Sequence, residues 1–194
     1  DSRAPFRFDD IPATHDSYGI SKAEAEAGLL EIARNTKLNV VIIRPPLVYG
    51  PGVKANFQSL MRVSQRNLPL PLGAVNNQRS FVALDNLVDL IITCIDHPNA
   101  INKQYFICDH EDVSTPQFLT KIGEAMGKKR RLFPFPTALL RLIGFLTGQQ
   151  FAVGRLVNSL KVDGSEFCRE LDWKPPISMD AGLKVSTEWY LNEH

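Results

Sequence analysis

The chain of 194 residues is 44% hydrophobic and 22% charged, which is typical of a folded globular protein and excludes a disordered tail. Its 22 basic residues nearly balance its 21 acidic residues, so the sequence lacks the strongly positive field that DNA or RNA binding needs. Its most apolar stretch, ALLRLIGFL at 138–146, is too short to span a bilayer, and we expect no membrane partner.

The first predicted elements are a helix and a buried strand. A helix capped by Asp16 or Ser17 is predicted to run to about Thr36, since KAEAEAGLLEIA consists largely of strong helix formers. The β-branched run VVII at 40–43 is typical of a strand that is covered on both faces. The two prolines that follow end its ladder, because proline has no N–H to donate. A helix followed at once by a buried strand indicates an α/β sheet.

The rest of the sequence continues this alternation and then becomes less regular. Short strands are predicted in RSFVAL and QYFICD, with an apolar helix capped by Asp85 between them. Ser114 or Thr115 can cap the next helix, and Gly127 can end it. The later predicted elements are a helix at 137–147, an extended SLKVD, a helix near 164–171 and a last helix at about 178–191. We therefore expect a parallel-sheet domain with a small added lobe.

The cysteine pattern argues against both a disulfide framework and a zinc site. Cys94, Cys108 and Cys168 are odd in number and widely spaced, and no CxxC occurs. Reduced thiols are typical of the cytoplasm, and no secretory signal is recognisable at the start of the sequence. These observations favour a cytoplasmic protein that binds small metabolites, without a metal and without a nucleic acid.

The stretch SYGISK at 17–22 places a lysine four positions after a tyrosine. Residues i and i+4 share one face of a helix, so Lys22 is expected beside the phenol of Tyr18. Its positive charge would lower the tyrosine pKa from about 10 toward the working range. Such a tyrosine can remove or return a hydroxyl proton while a hydride moves to a nicotinamide. The pair alone is a weak indication, because chance gives about 0.2 such pairs in this composition.

Other stretches give the pair a context. VVIIRPPLVYGPGVKANF and RSFVALDNLVDLI follow it in order, and LDWKPP lies near the end. Together with DSYGISKAEAE they resemble the extended short-chain dehydrogenase/reductase family, and within it the nucleotide-sugar epimerase/dehydratase group. The resemblance implies an α/β fold with the later strands of a doubly wound, Rossmann-like parallel sheet at 1–50 and 78–110. It also implies a small α+β substrate-binding lobe at 51–77 and 111–194.

The resemblance implies roles for single residues near the reacting centre. Tyr18 would be the catalytic acid/base, and Lys22 would lower its pKa and hold the nicotinamide ribose, so both would contact the cofactor. Pro46 would lie next to the cofactor, and Leu47 next to the sugar. The cofactor implied is NAD, with NADP possible. The substrate implied is a nucleotide sugar.

A second set of residues would bind the nucleotide and its diphosphate. Asn56 and Arg79 match diphosphate ligands of the family, and a planar guanidinium suits phosphate oxygens. Arg155 is the candidate for a second arginine, and Leu70 to Leu72 would bracket the base. Simpler alternatives remain: Asn56 can cap the helix NFQSLMRVSQR, Arg79 can pair with a carboxylate, and the Tyr-Lys pair can be an exposed helix pair.

The sequence also departs from the family pattern. No G-x-x-G-x-x-G or G-x-G-x-x-G occurs, and the only close glycine pair, Gly50 and Gly52, flanks a proline. The serine or threonine that the family places upstream of its tyrosine would precede Asp1, and Leu47 stands where galactose epimerases have an asparagine. We therefore expect that the 194-residue chain alone neither binds NAD appreciably nor turns over.

The implied activity is NAD-dependent 4-epimerisation of a UDP-hexose, as in polysaccharide biosynthesis. Tyr18 would deprotonate the 4-hydroxyl, a hydride would pass to the nicotinamide, and the 4-keto sugar would be reduced on its other face. One alternative is an NAD(P)H-dependent 4-ketoreductase of a nucleotide-activated deoxysugar, which would use the same pair. The other is a non-catalytic interaction module that forms a homodimer through the helix carrying Tyr18 and Lys22.

Overall fold

The computed structural model describes Pro5 and residues 17–54 and 56–193, with the side chains of Ser17 and Tyr18 outside this description. The α-helices of this part are α1 Ser17–Asn35, α2 Asn56–Arg66, α3 Leu84–Asp96, α4 Thr115–Ala125, α5 Thr137–Leu146, α6 Gln150–Val157, α7 Ser165–Glu170 and α8 Met179–Glu193. The strands are β1 Val41–Arg44, β2 Leu47–Tyr49, β3 Phe81–Ala83 and β4 Lys103–Phe106. None of the described helices is both long and apolar enough to cross a membrane.

The strands pair in parallel, which confirms the predicted α/β class. β1 pairs with β4, with Ile42 opposite Gln104, and β2 pairs with β3, with Val48 opposite Val82. The sequence predicted β1 and its end at the two prolines, but it did not predict that the residues after them form β2. Parallel neighbours require crossover connections, and α2 and α3 lie in those connections.

The burial of β1 differs from the prediction of a strand covered on both faces. Val40 and Ile42 are buried, whereas Val41 and Ile43 are only half-buried. In the described part of the chain, β4 is the only strand that pairs with β1. Among the described residues, β1 is therefore paired along one edge only.

The helix signals around α4 are confirmed. The Ser114 hydroxyl accepts a hydrogen bond from the Gln117 N–H, and the Gln117 side chain accepts one from the Ser114 N–H. This reciprocal capping box satisfies two donors that the first turn leaves free. Gly127 follows the helix with φ +68°, a left-handed conformation in which a side chain would be strained.

Two sequence predictions were wrong in this part of the fold. Ala83 occupies the N-cap position of α3 without a side-chain cap, so Asp85 lies in the first turn instead of capping the helix. There its carboxylate still complements the helix dipole. Helix α6, which packs on α5 after a turn at Gly148, was not predicted from the sequence. The two helices approach closely at Gly144, where a Cβ would lie 2.7 Å from a Val153 methyl.

The hydrophobic core joins the sheet to the later helices. Phe81 of β3 stacks on Phe118 of α4 with ring centroids 3.9 Å apart, inside a cluster that also contains residues of β2, α2 and α8. Trp173, in the LDWKPP stretch, lies 5.1 Å from Phe167 and donates a hydrogen bond to Asp89 on α3. The proposed division between sheet domain and lobe therefore stays a prediction, because core packing crosses it.

A half-buried carboxylate after β4 connects most of these elements. Asp109 accepts hydrogen bonds from the Tyr49 hydroxyl at 2.7 Å, the Asn86 amide at 2.7 Å and the Ala83 N–H at 3.1 Å. Asn86 also accepts from the Ile177 N–H and donates to the Ile177 carbonyl. Burial raises the pKa of Asp109, and burial with the adjacent carboxylate raises the pKa of Tyr49, which keeps that phenol a donor.

Replacing Asn86 tests this network. Asn86→Ala leaves the Ile177 N–H without its partner and removes one of the two donors to Asp109 Oδ1, so we expect the free energy of unfolding to fall by about 2–4 kcal/mol. The control Asp85→Ala changes an exposed neighbour in the same helix and is expected to cost less than about 1 kcal/mol. Urea denaturation of both variants measures the difference. Equal losses would contradict the role of the network.

Candidate active site

One cavity brings together four of the predicted substrate-binding residues. They are Leu47 at the start of β2, Asn56 at the start of α2, Arg79 before β3 and Arg155 on α6. The cavity has a volume of about 330 Å³, which lies within the range of small-molecule sites. The other residues that line it are Ser59, Leu60, Val63, Phe81, Thr115, Phe118, Ala152 and Leu156.

Arg79 is the most firmly held of these residues. Its backbone exchanges two hydrogen bonds with Val113, of 3.0 and 3.1 Å. Its guanidinium Nη1 donates to the carbonyl of Arg155 at 2.8 Å and to that of Asn158 at 3.0 Å. Burial, and then the nearby Arg155 charge, lower the pKa of Arg79. No carboxylate among the described residues forms an ion pair with it, unlike the alternative considered from the sequence.

Arg155 and Asn56 lie at the exposed end of the cavity. The Arg155 Nη1 donates to the Asn56 side-chain oxygen over 3.4 Å, and both residues are exposed. Two guanidinium groups and an amide thus converge from α6, α2 and the residue before β3. Because like charges repel, this arrangement favours an anion between them, and a phosphate or diphosphate matches the donor geometry.

The deeper wall of the cavity is apolar. Leu60 and Val63 come from α2, Phe81 from β3, Phe118 from α4 and Leu156 from α6. The stacked pair of phenylalanine rings fixes one side of this wall. An apolar interior with a few convergent polar groups is typical of a ligand site.

The two predicted base contacts lie elsewhere. Leu70 bonds to the Arg131 and Phe133 backbone at 2.9 and 3.0 Å, in a short bridge outside the cavity lining. Leu72 is buried in a cluster with Leu119. The structure therefore does not bring them to the cavity, and their contact with a base stays a prediction.

Several cavity residues were missed by the sequence analysis. On α2, Ser59, Leu60 and Val63 follow Asn56 at helical spacing, so the helix period would have placed them on the same face. On α6, Ala152 and Leu156 were missed because the helix itself was not predicted, and Thr115 and Phe118 depend on the packing of α4.

The predicted acid/base pair lies on α1. Tyr18 and Lys22 are four residues apart within this helix, but the Tyr18 side chain lies outside the described residues and Lys22 is exposed. One turn further on, Glu26 pairs with Arg44 at the end of β1, which fixes α1 on the sheet. Pro46 lies between β1 and β2 and directly precedes Leu47. The catalytic role of the pair therefore stays a prediction.

The described residues do not include a cradle for a dinucleotide. The close glycines Gly50 and Gly52 follow β2, and a Cβ at Gly50 would lie 2.5 Å from the Leu84 Cβ, so this glycine serves chain packing. The only residues assigned to NAD are then Tyr18, Lys22 and Pro46, which the family resemblance puts at the nicotinamide end. The described residues also contain no group of three or more side chains that could hold a metal ion.

The sequence of the chain is similar to those of known proteins. Residues 3–108 match the model of the NAD dependent epimerase/dehydratase family. The chain is 45% identical over 188 residues to the UDP-glucose 4-epimerase of Vibrio cholerae, an alignment that covers 96% of this chain and 57% of that protein. The chain thus spans little more than half the length of this relative.

Two solved structures show the same fold. The UDP-glucose 4-epimerase of Thermotoga maritima, solved with UDP-glucose, superposes with a TM-score of 0.72 at 21% identity over 97% of this chain and 58% of its own. The UDP-glucuronic acid 4-epimerase of Bacillus cereus, in complex with NAD, superposes with a TM-score of 0.75 at 17% identity, and the match covers 99% of this chain and 57% of that protein. Since the family model matches more than half of the sequence, the chain belongs to the NAD-dependent epimerase/dehydratase family.

Proposed function

We propose that the whole protein containing this chain is an NAD-dependent nucleotide-sugar 4-epimerase that acts on a UDP-hexose. The observation that carries this proposal is the cavity in which Arg79 and Arg155 converge without a carboxylate partner for Arg79 among the described residues. The 45% identical relative named UDP-glucose 4-epimerase supports the same activity. The chain covers only part of that relative, so the activity of the whole protein is proposed here.

The first step of the proposal is binding of the diphosphate. The Arg79 Nη1 is fixed by two carbonyl oxygens, and its Nη2 and Nε donate to no described residue. These donors, with those of Arg155 and the amide of Asn56, are available to oxygens of a diphosphate. Burial, and then the Arg155 charge, lower the pKa of Arg79, and a bound anion would offset both effects. The apolar walls of the cavity then contact an uncharged part of the nucleotide sugar.

The second step is proton transfer at the sugar. Tyr18 removes the proton of the 4-hydroxyl and later returns it, and Lys22 lowers the tyrosine pKa to make this transfer favourable. The whole protein uses NAD as the acceptor and donor of the hydride at C4. The Glu26–Arg44 pair holds α1 on β1, and the chain then leads through Pro46 to Leu47 in the cavity wall. These contacts connect the acid/base helix to the substrate cavity.

Replacing the arginines tests diphosphate binding. We expect Arg79→Met to weaken UDP binding about 10- to 100-fold, because a buried hydrogen bond to a charged group contributes about 1.5–3 kcal/mol. Arg155→Met, at an exposed position, is expected to weaken it less than tenfold. Arg62→Met changes an exposed arginine of α2 outside the cavity lining and serves as the control. Calorimetric titration with UDP at fixed salt measures all three, and unchanged affinity in Arg79→Met would overturn this assignment.

Replacing Tyr18 tests the chemistry in the whole protein. We expect Tyr18→Phe to lower kcat about 10²- to 10⁴-fold because it removes the acid/base group. Tyr105→Phe makes the same chemical change at a phenol that donates to Glu170 outside the cavity, and it should keep its turnover. The assay follows formation of the C4 epimer from UDP-glucose or UDP-N-acetylglucosamine with catalytic NAD.

The same assay separates the rival functions. An epimerase causes no net change in the absorbance of reduced nicotinamide, whereas a 4-ketoreductase supplied with a 4-keto sugar consumes the reduced cofactor. Undiminished turnover in Tyr18→Phe would refute the catalytic assignment. Absence of turnover with all these substrates in the unsubstituted protein would favour the interaction module.

A further inference from the structure

The segment 125–162 combines a basic composition with an exposed apolar surface. It contains no aspartate or glutamate, yet it carries seven of the 22 basic residues, so the rest of this nearly neutral chain is net acidic. The segment also contains α5 and α6 with a large exposed apolar surface, which we name the apolar cap. The cap consists of Phe133, Leu139, Leu142, Ile143, Phe145, Leu146 and Phe151.

The cap is an ordered face of α5 and not a collection of scattered side chains. Leu139, Leu142, Ile143 and Leu146 follow one another at positions i, i+3, i+4 and i+7, which form one stripe along a helix. The inner face of α5 is occupied by Leu140 and by Gly144, which packs against α6. The stripe therefore faces away from the core.

The most exposed members lie at the turn between the two helices. Phe145 is 68% exposed, Leu146 73% and Phe151 77%, and no described residue covers them. Large apolar side chains at such exposure mark an interaction surface. Placed at the tip of a helical hairpin, they can enter an apolar phase without rearrangement of the backbone.

Charge decides which partner fits the cap. Lys129, Arg131 and Arg141 are exposed in the same segment, and Arg141 lies within α5 between the apolar positions. Its guanidinium donates to Asn158 at the side of the helix. Exposed Phe and Leu side chains, with exposed basic residues and no acidic residue in the same segment, are typical of regions that dock on the interface of anionic membranes.

We propose that the apolar cap docks this protein on the surface of an anionic phospholipid bilayer. Phe145, Leu146 and Phe151 enter the boundary between headgroups and acyl chains, and the exposed basic residues contact lipid phosphates. Peripheral docking needs no spanning helix, so it agrees with the short length of α5. It does revise the sequence-based expectation that no membrane takes part.

Docking would also orient the candidate active site. Phe151 of the cap directly precedes Ala152, which lines the cavity together with Arg155 one turn later. The helix α6, which contributes Phe151 to the cap, thus also carries part of the proposed diphosphate site. The exposed end of the cavity would lie close to the bilayer surface.

Co-sedimentation of the whole protein with vesicles tests the proposal. We expect binding to vesicles of equal parts phosphatidylglycerol and phosphatidylcholine, and weaker binding to phosphatidylcholine alone or at high salt. Leu146→Ser with Phe151→Ser should lower partitioning to the anionic vesicles at least tenfold, because two apolar side chains no longer enter the interface. Lys129→Gln with Arg131→Gln should lower it for the anionic vesicles only.

The matched control lies on α3. Ile92 and Ile95 are 59% and 73% exposed, but α3 carries Asp85, Asp89 and Asp96 and no basic residue. Ile92→Ser with Ile95→Ser should leave partitioning unchanged, with UDP affinity and the urea midpoint as checks on folding. Equal loss of partitioning in this control would overturn the proposal. Absence of binding to the anionic vesicles would also overturn the proposal. If, in that case, sedimentation velocity shows a dimer that dissociates in the Leu146→Ser, Phe151→Ser variant, the cap is a contact between two copies of the protein instead.

Discussion

The carboxylate of Asp109 is the interaction on which the rest of the fold depends. It follows β4 and accepts hydrogen bonds from β2, β3 and α3, while Asn86 extends the contact to the segment before α8. Removal of an ionised carboxylate from water costs free energy, and the hydrogen bonds from the three donors offset that cost. Because β2 begins at Leu47 and β3 follows Arg79 closely, the same network sets the spacing of two walls of the cavity. The local order of the site is therefore a consequence of one buried polar cluster.

The cavity itself contains an arrangement that is unfavourable without a ligand. Arg79 is held in place by Val113 and by two carbonyl oxygens, so it cannot turn away from Arg155. Its lowered pKa reflects burial and that neighbouring charge. The burial of Arg79 beside a second positive charge costs free energy, and the contacts of the surrounding backbone hold the residue in place despite it. Local arrangements that lower stability are common at sites that bind charged ligands. An anion that bridges the two guanidinium groups would convert the repulsion into binding free energy.

The sequence predicted the features of this fold that depend on neighbouring residues. The helix from Ser17, the strand after it and the capping box at Ser114 follow from propensity, β-branching and a three-residue spacing, and all are present. What it missed depends on distant contacts. The cover of β1, the start of α3 at Leu84 and the formation of α6 are set by packing across the chain. For the site, the resemblance selected four residues that share a cavity, but it could not show that Leu72 is directed into the core.

The helix α5 carries apolar side chains on two sides that have different surroundings. α5 is apolar on its inner side, where Leu140 packs, and on its outer side, where the cap lies. A helix that is apolar all round is normally buried, and the described residues bury only one side of this one. The other side is exposed and is open to an apolar environment outside these residues. The segment 125–162 carries basic residues and no acidic residue. An anionic surface would therefore be attracted to this segment and would meet no acidic residue of it that repels the surface.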